Sequence, residues 1–230
     1  MLELPFTATQ FLDIFRDYNN AIWPAQGFAY LFGIIAVVLG FRPLTTSGRI
    51  ISVILGFFWL WIGIIYHLMF FSAINKAAYV FGALFIIQGL LFLFAGFATR
   101  KLRFQYRNDV YGITGIALIG YAMIIYPIIG YYSGHAYPFA PMFGVAPCPA
   151  TIFTFGLLLW TKARVPVWLF TIPAIWSIIG STAAIKLGIH EDLGLALAGI
   201  VTVYLLMYRD HQSPKLQVNN THVEHRDRKS

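Results

Sequence analysis

The sequence predicts an all-α fold, a polytopic membrane bundle of seven transmembrane helices behind an N-terminal interfacial amphipathic helix, and three observations carry that expectation. Hydrophobic residues make up 59% of the 230 and charged residues 11%, outside the range of soluble domains. The apolar residues fall into runs long enough to cross a hydrocarbon core of about 30 Å, and the length accommodates about seven of them with no second folded domain. The basic residues lie between the runs and alternate in density from loop to loop.

The elements follow in order. Residues 1–24 form the interfacial helix and the turn that leads into the bilayer. Thr7 and Gln10 have the spacing of a capping box, and Phe6 and Phe11 that of a hydrophobic staple. Phe11, Ile14, Phe15 and Tyr18 share one face, with Asp13, Arg16 and Asp17 opposite, as suits a helix in the headgroup region. No basic segment, apolar core and small-residue cleavage site stand in order here, so a signal peptide is not expected.

Residues 25–208 hold the bundle. Spans are expected over residues 27–41, 50–71, 79–98 and 110–131, then in a fifth segment ending at Trp160, then over 165–185 and 193–208. Gly82, Gly89 and Gly96 repeat every seven residues in span three and would cut a groove for a neighbouring helix. Pro127 would kink span four, and Ser177, Gly180, Ser181 and Ala184 give span six a small-residue face. Residues 209–230 lack apolar periodicity and are expected to be a disordered cytoplasmic tail.

Seven crossings sort the sixteen basic residues unequally. Arg42, Arg49, Arg100, Lys101, Arg103, Arg107, Lys162, Arg164, Arg209, Lys215, Arg226, Arg228 and Lys229 fall on one side; Arg16, Lys76 and Lys186 fall on the other. That bias places the N-terminus outside and the C-terminus in the cytoplasm. The net charge of +7 therefore reports topology and does not point to nucleic acid.

The stretch from His135 to Thr154 is the most unusual. It carries the single cysteine and four of the eleven prolines, and it leads into span five. Proline lacks an amide donor, so Pro147-Cys148-Pro149 would leave backbone carbonyls needing cover from protein or trapped water. Several polar groups fall at the same outer end: Tyr66 and His67, Asn75, His135 and Tyr137, Cys148 and Thr151, and His190, Glu191 and Asp192. This suggests an outward-facing vestibule with His67, His135, Cys148 and Thr151 as ligand-binding candidates.

Cys148 with His67, His135 or His190 would offer soft and borderline donors for copper(I) or zinc. The alternative makes Cys148 a small buried residue at a tight helix start whose prolines fix the turn. His67, in an apolar helix, is read either as a ligand or proton carrier or as a neutral ring hydrogen-bonded near the interface. Glu191 and Asp192 are read as charges favouring the start of span seven, outside the membrane. No other carboxylate falls within a span, which argues against a proton- or sodium-coupled pump. Phosphate loops, His-Glu-x-x-His helices, Gly-x-Ser-x-Gly elbows and paired haem histidines are all missing, and span seven has no lysine for a Schiff base. No cofactor is indicated, and no acid, base and nucleophile set favours an enzyme.

Pro5-Phe6-Thr7, Gln10-Phe11, Tyr18-Asn19, Trp23-Pro24-Ala25-Gln26, Tyr137-Pro138, Phe143-Gly144 and Pro147-Cys148-Pro149-Ala150-Thr151-Ile152-Phe153-Thr154-Phe155-Gly156 together resemble a group of bacterial integral membrane proteins defined only as a domain of unknown function. The likeness covers most of the chain apart from the tail. It implies a bacterial inner-membrane address and no particular activity. Two functional readings remain: a small permease or ligand-binding membrane protein, and a non-catalytic assembly partner or sensor in which the Pro-Cys-Pro turn is architecture.

Overall fold

A computed structural model describes the backbone of residues 4–99 and 102–227 and the side chains of 4–98 and 102–211. The described residues are helical apart from turns and one isolated antiparallel bridge between Phe104 and Thr161. The first helix, α1 (Ala8–Ala21), starts where its cap puts it. The Gln10 amide donates to Thr7 Oγ1 at 3.3 Å, the Thr7 amide donates to Gln10 Oε1 at 2.9 Å, and the Phe6 and Phe11 rings stack at 6.0 Å. Phe15, Tyr18 and Asn19 are its buried residues.

The chain then bends by 86° into α2 (Ala25–Phe41). Next come α3 (Ser47–Trp61), continued by a π-helix over Ile62–Phe70 and a 3-10 turn over Phe71–Ala73, and α4 (Ala78–Phe94), continued by a π turn over Ala95–Thr99. The fourth apolar run is α5 (Val110–Gly120), a π stretch over Tyr121–Ile125, and α6 (Tyr126–Tyr132). Pro127 falls in the first turn of α6, directly after the π stretch. A widened turn there accommodates a residue that cannot donate an amide. The remaining helices are α7 (Pro147–Leu159), α8 (Val167–Leu187) and α9 (Leu193–Asp227), with a 3-10 turn His190–Asp192 before the last. The α9 backbone therefore continues beyond Tyr208, into the segment expected to be disordered.

Five helical stretches are long and apolar enough to cross a membrane: Ser47–Ala73, Ala78–Ala98, Val110–Tyr132, Val167–Leu187 and His190–His211. The bent pair α1 and α2 brings the number to six if it counts as one span. Seven full-length spans were expected. The difference lies in α2, at 17 residues, and in α7, which is apolar but only 13 residues long and rises about 20 Å.

Glycine stripes set the helix pairing. A Cβ added to Gly82 would lie 3.1 Å from the Gly63 carbonyl oxygen, one on Gly89 2.9 Å from that of Gly56, and one on Gly96 2.6 Å from Ser52 Cβ. The seven-residue repeat of α4 thus receives α3 and its π extension along its whole length. Gly115 of α5 and Gly156 of α7 meet the same way, and the face Ser177, Gly180, Ser181 and Ala184 of α8 is buried. Every residue of α7 is buried, as an all-round apolar helix requires. It is the central post of the bundle. Its threonines turn inward on their own helix, Thr151 donating to the Pro147 carbonyl and Thr154 to that of Ala150, both at 2.8 Å.

Candidate functional site

The site forms where α7 begins. Pro147 is the first residue of that helix and Pro149 the third, positions whose amides have no intrahelical acceptor. The Pro-Cys-Pro triplet therefore opens a helix and does not interrupt one. The need for cover falls on the segment before it, where residues 140–146 run almost wholly buried into the bundle. Its carbonyls are covered by α1. Tyr18 donates its hydroxyl to the Val145 carbonyl at 2.7 Å, and Asn19 Nδ2 donates to those of Pro138 and Ala140 at 2.6 and 2.8 Å. Trp61 Nε1 in turn donates to the Tyr18 hydroxyl at 2.9 Å. Burial pushes the Tyr18 phenol above its ordinary pKa, so it stays a proton donor at neutral pH. Protein, in the form of α1, supplies the cover that the sequence required for this backbone.

Above Cys148 lies a cavity of about 160 Å³. Phe6, just ahead of α1, and Phe11 and Phe15 of α1 form one wall; Tyr66, Phe71 and Phe81 form a second; Trp176 and Gly180 of α8 form a third. Cys148 and Asp192 reach it from below, and Asn75 and Lys186 also line it. Cys148 and Asp192 lie side by side in this floor, and the Tyr126 hydroxyl donates to Asp192 Oδ1. Trp176 Nε1 has no hydrogen-bond partner although the residue is only 8% exposed. Gly180 keeps this floor open, because a Cβ there would sit 3.4 Å from Trp176 Nε1 and 3.5 Å from Cys148 Sγ. The polar groups of the floor are thus a carboxylate, a thiol and an unused indole N–H, set in ring faces.

Beside the cavity, Glu191 is fully buried and pairs with His135, Nδ1 to Oε1 at 2.9 Å. Its other oxygen, Oε2, is buried without a partner, and the Tyr121 hydroxyl donates to the Glu191 backbone carbonyl at 2.7 Å. The sequence reading put Glu191 and Asp192 outside the membrane as helix-favouring charges. The structure buries both carboxylates within the candidate span His190–His211, because the 3-10 turn at 190–192 turns them into the bundle. The argument against ion coupling that rested on missing carboxylates falls with that correction.

The four ligand candidates separate. Cys148 lines the cavity. His135 belongs to the neighbouring ion pair. Thr151 spends its hydroxyl on the Pro147 carbonyl. His67 lies behind the aromatic wall, its ring 4.7 Å from Phe85 and 5.3 Å from Trp176, with no partner on either nitrogen. It packs as one more aromatic ring. Among the described residues no group of three or more His, Cys, Asp or Glu side chains is arranged to hold a metal ion. Tyr126 and Trp176 were not foreseen, and Asp192 was placed in the vestibule but not among the ligand candidates. The available signal was that Glu191 and Asp192 are the acids set directly against an apolar run at the outer end.

Fold and site together define an all-helical protein with candidate membrane spans and a thiol–carboxylate–phenol cluster beneath an aromatic cavity. The chain belongs to DUF6064, a family of unknown function, which matches residues 8–216. No curated protein and no solved structure matches it.

Proposed function

We propose that the chain is a seven-span membrane protein, a small permease or ligand-binding protein, whose outward-facing site is the cavity at the start of α7. The ligand has an apolar body that fits the ring walls and a hydrogen-bonding head that meets Asp192, Cys148 and Trp176. The observation that carries this reading is the cavity itself, which reaches a buried carboxylate and leaves an indole N–H unused.

Membrane immersion is supported by the outer faces of the helices. Leu31, Ile87, Leu90, Ile113, Ile178 and Ile200 are all at least 47% exposed, an apolar belt that water does not tolerate over such an area. The seventh crossing is α7 together with the buried turns before it. The basic loops meet at the opposite end of the bundle, where the Gln105 amide donates to the Trp160 carbonyl and the Tyr106 amide to that of Gly40. By the positive-inside rule that end faces the cytoplasm and α1 lies outside, at the interface, with the bacterial inner membrane as the implied address. The alternative reading, an assembly partner or sensor, draws support from the way α1 clamps the proline segment as pure architecture.

Cys148 makes the test direct, since it is the single cysteine. A screen of small molecules by thermal shift, run on the wild type and on Gly180→Val, identifies ligands of this cavity. A compound at one hundred times its Kd stabilises by about 2.7 kcal/mol, roughly 5–10 °C for a chain of this size. Such a compound is expected to lose its effect on Gly180→Val and to slow alkylation of Cys148 by a small methanethiosulfonate. If Cys148 resists the reagent from the outer side and no compound distinguishes the two proteins, the binding reading fails and the architectural one stands.

A further inference from the structure

The opposite end of the molecule carries a second cavity, of about 470 Å³, and its chemistry is the reverse of the first. Arg49, Arg103 and Lys162 line it, and among the described residues no carboxylate does. They come from three segments: the start of α3, the connection between α4 and α5, and the connection between α7 and α8. None of the three side chains makes an ion pair with a described residue, whereas the nearby Arg107 and Arg164 are paired with Asp109 and Asp210.

The backbone holds these cations in place. Phe104 and Thr161 form the isolated bridge, and the Lys162 amide donates to the Arg103 carbonyl at 2.9 Å. Two loops are thereby stitched into a short ribbon that sets Arg103 beside Lys162. The start of α3 is docked against the same ribbon so closely that a Cβ on Gly48 would fall 2.0 Å from the Leu102 carbonyl oxygen. This fixes Arg49 on the far wall. Thr45 and Ser47, also in the lining, lie at the N-terminal end of α3, whose dipole adds positive potential. Three unpaired cations around one cavity repel one another, and an anion between them removes that cost.

We propose that this cavity is a binding site for a phosphate-type anion, supplied either by the headgroup of an anionic phospholipid or by a soluble phosphate. Its position at the end of the apolar belt is where lipid phosphates lie. The proposal is independent of the outer cavity and of any ligand bound there.

The test uses the full-length protein purified in detergent and read by native mass spectrometry. The probes are short-chain phosphatidylglycerol, its phosphatidylcholine counterpart and inorganic phosphate. The wild type is expected to bind phosphatidylglycerol at least about tenfold more tightly than phosphatidylcholine, with the preference shrinking as salt rises. The triple variant Arg49→Gln, Arg103→Gln, Lys162→Gln is expected to lose that preference. The control Arg16→Gln, Lys76→Gln removes positive charge at the other end of the bundle and is expected to keep it. Competition by millimolar inorganic phosphate assigns the site to a soluble phosphate as well; absence of competition assigns it to the lipid headgroup. Equal binding of the two lipids together with no retention of phosphate overturns the proposal, and so does a triple variant that behaves as the wild type. Should the triple variant not fold, the single Arg103→Gln, at an exposed position, is expected to reduce the preference several-fold; no reduction is equally decisive against the site.

Discussion

Replacing Tyr18 by Phe removes one oxygen from the structure and tests whether α1 truly holds the start of α7. That oxygen donates to the Val145 carbonyl at 2.7 Å and accepts from Trp61 Nε1 at 2.9 Å, and among the described residues no other donor reaches the Val145 carbonyl. Val145 is 2% exposed, so its carbonyl would be left dry and unpaired at a cost of about 1–3 kcal/mol. Trp61 is only partly buried and recovers part of its loss in water. A net destabilisation of about 2 kcal/mol corresponds to a melting temperature roughly 4–8 °C lower for a chain of this length. Local loosening should exceed global loosening, because Val145 lies three residues from Cys148. We therefore expect Cys148 to be alkylated several-fold faster in Tyr18→Phe at a temperature where both proteins are folded. Tyr131→Phe, at a position 66% exposed, serves as the control and is expected to change neither quantity. An unchanged melting temperature together with an unchanged alkylation rate in Tyr18→Phe would show that α1 is a passive neighbour of the proline segment.

Other substitutions probe other contacts. Gly156→Val places a Cβ 2.8 Å from the Gly115 carbonyl oxygen and should cost more than about 3 kcal/mol, read as loss of monodisperse protein after solubilisation, whereas Gly27→Ala, with nothing within 4 Å, should behave as wild type. His135→Ala leaves the buried Glu191 carboxylate without its partner and is expected to lower stability by about 3–5 kcal/mol, with part of that loss recovered when Glu191→Gln is added, both measured by thermal unfolding. Thr151→Val removes a hydroxyl already committed to the Pro147 carbonyl, so it should change stability by less than about 1 kcal/mol and leave the thermal shift given by any cavity ligand intact.

Much of this was legible in the sequence because the signals were local or periodic. The capping box of Thr7 and Gln10 needs only four residues of chain, and the Gly82, Gly89, Gly96 repeat announces a close helix partner without naming it. Unequal loop charge predicted which loops share an end, and the carbonyl contacts among residues 40, 103–106 and 160–162 place three of those loops together. What stayed hidden depends on tertiary geometry. A π-helix over Ile62–Phe70 has no composition of its own, yet it decides that Tyr66 faces the cavity and His67 lies behind the rings. Two acids before an apolar run look like ordinary first-turn charges until the 3-10 turn at His190–Asp192 rotates them inward. A 13-residue apolar helix falls below the length that hydropathy reading expects of a span, and only the buried turns ahead of it explain how so short a helix can stand at the centre.

That central helix also explains where the outer site must be. A helix buried on every side can carry polar groups only if they are satisfied internally, and α7 complies with threonines bonded to its own carbonyls. Thr154 Oγ1 also accepts from Trp59 Nε1 at 3.0 Å, whereas the Cys148 thiol, at the first turn, lines the cavity beside Asp192. The position of that thiol is set by the proline pair, and the prolines are set by the carbonyls that Tyr18 and Asn19 hold. The same α1 that makes those bonds presents Phe11 and Phe15 to the cavity, with Phe6 stapled at its start. Anything that moves α1 must therefore change the wall of the cavity and the seat of its floor together. Site and scaffold are one mechanical unit at this end, which is why a ligand bound among the rings should stabilise the whole bundle and not merely fill a hole.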